Sequence, residues 1–217
     1  MQLLAPDGTE LQGEYHDPGA PGPGALLLHM CSPEGNQQGW APLARELGEA
    51  GFHVMTFDYR GFGLTQGEMP SLASMEEAMS HWRNVWMGDV EAALGWLREQ
   101  DGVDESRLVF GGASCGVFLA LELSGRHPDV VALVLLAGPN DSEQESYVRR
   151  TPGYSVFGVT GDDPPAPEWM ARLFSWTDHP QSRLVFYRDK GHGTELFSAD
   201  PELAFTIRRW LTAQLSQ

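Results

Sequence analysis

The chain has 217 residues, with 14 Lys and Arg against 30 Asp and Glu, for a formal net charge of −16. That length suits one domain able to bury its own core. Hydrophobic residues at 41% and charged residues at 20% are globular values, not those of a disordered chain.

The acidity, with a pI of 4.6, speaks against nucleic acid or an anionic membrane as a main partner. No basic cluster exceeds the dipeptides Arg149-Arg150 and Arg208-Arg209. Two cysteines, Cys31 and Cys115, are too few for a disulfide framework or a four-thiolate zinc site. The first residues lack the basic region of a signal peptide. The longest apolar run, 130–137, falls far short of the ~18 residues a spanning helix needs. A cytoplasmic protein without cofactor or metal is the expectation.

Taken in chain order, residues 2–16 predict an opening hairpin around the Asp7-Gly8 turn. A buried strand follows at Ala25–His29, then a helix from Pro42 to Ala50 ended by Gly51, and a strand at His53–Asp58. Apolar residues at helical spacing run from Ser74 to Gln100, with Trp82, Trp86 and Trp96 read as packing residues. The second half alternates in the same way. Strands are expected at Leu108–Gly112, Val130–Ala137, Ser155–Gly161 and Arg183–Arg188, and helices at Cys115–Arg126, Trp169–Thr177 and Pro201–Leu215. Near-continuous apolar strands alternating with helices mean a mostly parallel sheet of about eight strands, covered on both faces. The first two strands are expected to be antiparallel. Residues 139–154 are the one connection long enough for a short lid.

The chemistry gathers at Gly112-Ala113-Ser114-Cys115-Gly116, a G-x-S-x-G placed between a strand and a helix. So tight a turn needs residues without bulk two places either side of the serine. The hydroxyl then projects from the strand end, with the helix N-terminus beneath it to favour a developing oxyanion. Alone, the pattern could equally be a turn whose serine caps the helix.

A serine nucleophile needs a base and an orienting carboxylate, in chain order Ser, acid, His for this kind of elbow. Of the three downstream histidines, His127 ends the elbow helix and His179 precedes a proline. His192, in Lys190-Gly191-His192-Gly193, follows a strand at the end where a parallel sheet gathers its reacting groups. The strand between ends in Asp162-Asp163-Pro164, and Asp163 is taken as the acid with Asp162 as the alternative.

With these pieces in place, the sequence resembles the α/β-hydrolase superfamily over nearly its whole length. Phe57-Asp58-Tyr59-Arg60-Gly61-Phe62-Gly63-Leu64-Thr65-Gln66-Gly67 is similar to the family's D-x-R-G-x-G-x-S-x-G segment, with Thr65 for Ser. Asp89 to Leu97 resembles its D-x-x-A-x-x-x-L approach to the elbow strand. The short chain is similar to small dienelactone-hydrolase-like or esterase-like members. The resemblance implies a single α/β-hydrolase domain over 1–217 with a minimal lid.

It also implies a serine hydrolase that cleaves a small carboxylic ester, thioester or lactone through Ser114, His192 and Asp163. The oxyanion hole would be the backbone N–H groups of Cys31 and Cys115, with Met30 as the second choice for the first donor. One departure is plain: the family's His-Gly is His29-Met30 here. The alternative is a non-catalytic small-molecule-binding protein on the same scaffold. Cys115 stands one place beyond the position where dienelactone hydrolases carry their cysteine, which leaves Ser114 as the nucleophile. Both cysteines fall beside the expected oxyanion hole, so a disulfide becomes possible if their Cα atoms lie within about 7 Å. The plainer expectation is two small residues filling space.

Overall fold

The computed structural model describes residues 1–67, 69, 73–151, 154–188 and 191–215. Among them, eight strands form one sheet. These are β1 (Gln2–Leu4), β2 (Glu10–His16), β3 (Gly22–Leu28), β4 (His53–Phe57), β5 (Val103–Ala113), β6 (Ala132–Leu136), β7 (Ser155–Thr160) and β8 (Arg183–Phe186). Their spatial order is β1-β2-β4-β3-β5-β6-β7-β8. Strand β2 is antiparallel to both β1 and β4, and all pairings from β4 to β8 are parallel. The helices are α1 (Ala41–Glu49), α2 (Met75–His81), α3 (Met87–Arg98), α4 (Cys115–Arg126), α5 (Ser142–Arg150), α6 (Ala166–Phe174), α7 (Leu196–Ala199) and α8 (Leu203–Leu215). The expected α/β-hydrolase fold, a mostly parallel sheet between helical layers, is the one observed.

Alternation along the strands explains why they read as continuous apolar runs. Leu26, Leu28 and Phe110 enter one core, shared with Val90 and Leu94 of α3 and Val117 and Phe118 of α4. Ala25, Leu27 and Val109 point the other way, into a core with Leu43 and Leu47 of α1 and Ile207 and Trp210 of α8. Strands β3, β4, β6 and β7 and the second half of β5 therefore have no solvent-facing side. Trp82 and Trp86 are buried in the first core and stack on each other, so they pack as expected. Trp96 makes an edge contact with Tyr15.

Elements differ from expectation where polar residues hid them. Strand β5 begins at Val103, because Gly22 and Pro23 pair with Val103 and Asp104 across an irregularity in β3. The polar Asp104–Ser106 stretch, exposed at Glu105 and Ser106, carries no apolar signal. The long helical stretch is broken by a π-helical turn at Trp82–Trp86, between α2 and α3. Helix α6 starts at Ala166, ahead of the expected Trp169, since Pro167 falls in the first turn, where a missing N–H is harmless. Helix α5 was not expected at all. Its polar sequence is set by an Asp141–Gln144 capping box. Gln144 Nε2 donates to Phe118 O at 3.0 Å and Tyr147 Oη to Ser124 O at 2.6 Å. The described part of 139–154 is thus a helix docked along α4; residues 152–153 lie outside the described residues.

The order reverses at β3 and β5: the chain leaves β3 toward β4 on one side and leaves β5 toward β6 on the other. Loops from the carboxyl ends of such neighbours diverge and open a crevice. Ser114 follows β5 and Cys31 follows β3, so both emerge at this switch point.

Candidate active site

Ser114 has φ 53° and ψ −119°, sparsely populated values for an L-residue, at the junction of β5 and α4. Ala137, at the end of neighbouring β6, also has a positive φ of 48°. The Ser114 N–H is tied to Leu136 O at 2.9 Å, which anchors the turn to β6. Both flanking glycines are required by contact. A Cβ on Gly112 would fall 2.1 Å from Gly116 O, and one on Gly116 2.2 Å from Leu28 O. The elbow helix thus lies directly on the ends of β3 and β5. The Ser114 side is half-buried, and the first N–H groups of α4 have no intrahelical acceptor.

His192 Nδ1 lies 3.2 Å from Asp163 Oδ2, within ion-pair range. The pair is at contact distance without the alignment of a hydrogen bond. The Asp163 carboxylate is 62% exposed and His192 29%, so the pair is open to solvent on the acid's side. The histidine loop presses on the elbow: a Cβ on Gly193, at φ +55°, would meet Met30 Sδ at 3.0 Å and Ala113 Cβ at 3.6 Å. Lys190 lies outside the described residues. The other downstream histidines are engaged elsewhere. His127 pairs with Glu91 at 2.8 Å, and His179 Nδ1 accepts from Gln181 N at 3.3 Å.

At the expected oxyanion loop, His29 is fully buried. Its Nδ1 sits 2.8 Å from Met30 O, and its Nε2 accepts from the Tyr59 N–H at 3.2 Å, which fixes a neutral Nδ1–H ring. Burial pushes its pKa down to about 4, against the pull of the Met30 carbonyl. The ring also packs on Tyr59, with centroids 4.1 Å apart. Met30, where the family pattern has glycine, is itself buried, and its Sδ accepts from Thr194 Oγ1 at 3.3 Å. The loop after β3 and the loop carrying His192 therefore meet through Met30.

The two cysteines form a disulfide, with Cα atoms 5.8 Å apart and a sequence separation of 84. This corrects the expectation that they merely fill space. The bridge joins the loop after β3 to the first residue of the elbow helix.

Further features were invisible in sequence. Glu195 Oε2 accepts the His192 N–H at 3.0 Å. Thr194 fills the space over Gly39, where a Cβ would come within 2.5 Å of its hydroxyl. A cavity of about 480 Å³ borders this junction, lined in part by Met30, Ser32, Glu34, Asn36, Thr194 and Glu195. Beneath it, the buried Asp58 carboxylate accepts from Gln37 N at 2.8 Å and Leu64 N at 2.9 Å. Thr65 donates to Asp58 O at 2.8 Å and accepts from Gln12 N at 2.9 Å, so it supplies the hydroxyl that the family's serine would. Among the described residues, no group of three or more His, Cys, Asp or Glu is arranged to hold a metal ion. No described helix is long and apolar enough to cross a membrane.

Sheet order, elbow and switch-point crevice together define a member of the α/β-hydrolase superfamily. A family model described as serine aminopeptidase, S33, matches residues 37–202, more than half of the chain, and the chain belongs to that family. It is 34% identical over 130 residues to the uncharacterised protein YfhR of Escherichia coli strain K12, a match covering 58% of this chain and 41% of YfhR. The chain thus spans well under two thirds of that relative's length. Among solved structures, Est1E from Butyrivibrio proteoclasticus, bound to ferulic acid, superposes with a TM-score of 0.77 at 16% identity over 100% of both chains. The esterase Pf2001 of Pyrococcus furiosus does so with a TM-score of 0.70 at 15% identity, over 98% of this chain and 91% of its own. At these identities the likeness is one of fold.

Proposed function

We propose that the chain is a serine hydrolase that cleaves a carboxylic ester, thioester or lactone through an acyl-enzyme. The observation that carries this reading is the approach of Asp163 to His192 Nδ1 at 3.2 Å, on a loop packed against the elbow of Ser114. In this account Ser114 Oγ attacks the carbonyl while His192 Nε2 takes its proton. The same nitrogen returns the proton to the leaving alcohol, thiol or ring oxygen. Asp163 holds the imidazole with Nε2 toward the serine and stabilises the imidazolium. The backbone N–H groups of Cys31 and Cys115 receive the oxyanion. Water, deprotonated by His192, then releases the acid and restores Ser114.

The substrates are small acyl compounds, since the described part of 139–154 docks along α4 as a single short helix. The location is cytoplasmic, where a disulfide is a transient or sensing feature and not a permanent staple. A panel of p-nitrophenyl esters from acetate to laurate, with lactones and aminoacyl anilides, tests the substrate class. Turnover that is highest for short esters and lost in Ser114→Ala is expected. A preference for long acyl chains overturns the small-acyl reading, turnover of anilides alone redirects it to peptides, and binding without turnover favours the non-catalytic alternative.

A further inference from the structure

The disulfide joins the two segments whose backbone N–H groups would hold the oxyanion. Cys115 directly follows Ser114 and opens α4, while Cys31 lies in the loop after β3. Apart from the bridge, the segment 29–31 is fastened by non-covalent ties. Tyr59 Oη donates to His29 O and the Tyr59 N–H to His29 Nε2, each at 3.2 Å. The His29 ring reaches Met30 O at 2.8 Å, and the Thr194 hydroxyl reaches Met30 Sδ at 3.3 Å. The family's glycine at the loop is missing, so its backbone path is set by side-chain anchors, and the bridge is the covalent one. Two oxyanion donors work only when both are aimed in advance at the position the charge will occupy. A covalent tie one residue from the nucleophile is well placed to fix their spacing.

We propose that the Cys31–Cys115 disulfide is the positioning device of the oxyanion hole, so that the enzyme is active when oxidised and attenuated when a dithiol reduces it. This rests on the serine-hydrolase reading above. Cys31 is partly exposed and Cys115 is 2% exposed, so an incoming thiolate attacks the Cys31 sulfur. The Sγ–Sγ bond breaks and the Cys115 sulfur leaves, taking up a proton. The reductant's second thiol then displaces Cys31 as a thiol and closes the reductant's own disulfide. Two electrons and two protons pass to the protein. The freed Cys115 thiol has an acceptor in place, His29 O at 3.6 Å from its Sγ. The elbow keeps its own anchor, Ser114 N–H on Leu136 O at 2.9 Å, while Cys31 loses its covalent tie to it.

The test compares oxidised and dithiothreitol-reduced protein, each verified by intact mass and by alkylation of thiols. Two readings are taken on each form: steady-state kinetics on p-nitrophenyl acetate and the rate of fluorophosphonate labelling. The expected result is a kcat about tenfold or more lower on reduction, with KM little changed, restored by reoxidation. The Cys31→Ser/Cys115→Ser variant should show the reduced rate and no response to dithiothreitol. If that variant does not fold, the wild-type redox pair alone decides the matter. Equal kcat in two forms proven oxidised and reduced overturns the proposal, as does protein that keeps two alkylatable thiols after treatment with an oxidant. Absence of labelling and turnover in both forms is a different failure: it removes the serine-hydrolase reading, and this proposal with it.

Discussion

The Arg60 guanidinium grips the buried Asp89 carboxylate from two nitrogens, with Nε 2.9 Å from Oδ2, and reaches Asp7 with Nη1 at 2.7 Å. Arg60 belongs to the loop after β4 and Asp89 to α3, so one fork–fork contact joins two stretches that resemble family patterns separately. Asp89 has no exposed side-chain surface, whereas Asp7 is 55% exposed. The inner pair therefore matters far more than the outer one. Arg60→Leu strands a buried carboxylate and should destabilise the fold by about 3–5 kcal/mol in urea unfolding. Asp7→Asn should leave the urea midpoint almost unchanged, as for other exposed pairs. Similar losses for both variants would show that the burial of Asp89 is not what sets the cost.

Asp163 and Asp162 stand side by side after β7, and Asp163 Oδ2 lies 3.2 Å from His192 Nδ1. Asp163→Asn should lower kcat by about 10³–10⁴-fold with little change in KM, since the amide no longer selects the working tautomer. Asp162→Asn should stay within a few-fold of wild type. Steady-state kinetics on one short ester decides between them, and the reverse ranking would move the acid to Asp162.

The elbow was legible because its physics is local: glycines either side of Ser114, a strand before and a helix after. The order Ser, acid, His then pointed to His192 and to the adjacent pair Asp162 and Asp163 without any distance. The disulfide was not legible, because whether Cys31 and Cys115 meet depends on β3 lying beside β5. Thr194 and Glu195 were missed for the same reason. A threonine in a loop carries no sign that it will sit over Gly39 and reach Met30. Helix α5 escaped because its stability comes from a capping box and two side-chain bonds to α4, not from an apolar stripe.

Met30 and Thr194 link the expected oxyanion loop to the histidine loop by a hydroxyl–thioether contact of 3.3 Å. Such a bond is weak, so its effect should be kinetic more than thermodynamic. Thr194→Val keeps the volume and removes the donor. It should lower kcat about fivefold, equivalent to roughly 1 kcal/mol, at unchanged KM. Thr194→Ser should restore most of the loss. A change confined to melting temperature would assign Thr194 a structural role only.

His29 is held neutral by burial, with its pKa pushed down to about 4, whereas an unfolded histidine titrates near 6.5. Between those values the unfolded chain binds a proton that the native ring refuses, so stability rises with pH there. Acidification from pH 6.5 to 4 should therefore remove on the order of 3 kcal/mol through this residue. Urea unfolding of wild type and His29→Asn across that range tests it. The variant should lose distinctly less stability on acidification, and parallel curves would refute a buried neutral His29.

Everything proposed for catalysis depends on Ser114 being a nucleophile activated by His192. The most direct measurement is intact-mass analysis of folded, oxidised protein after exposure to a fluorophosphonate, with peptide mapping of the adduct. One adduct per chain is expected, located on Ser114, absent from Ser114→Ala and strongly slowed in His192→Ala. A folded wild type that stays unmodified, or an adduct that persists in Ser114→Ala, would contradict it.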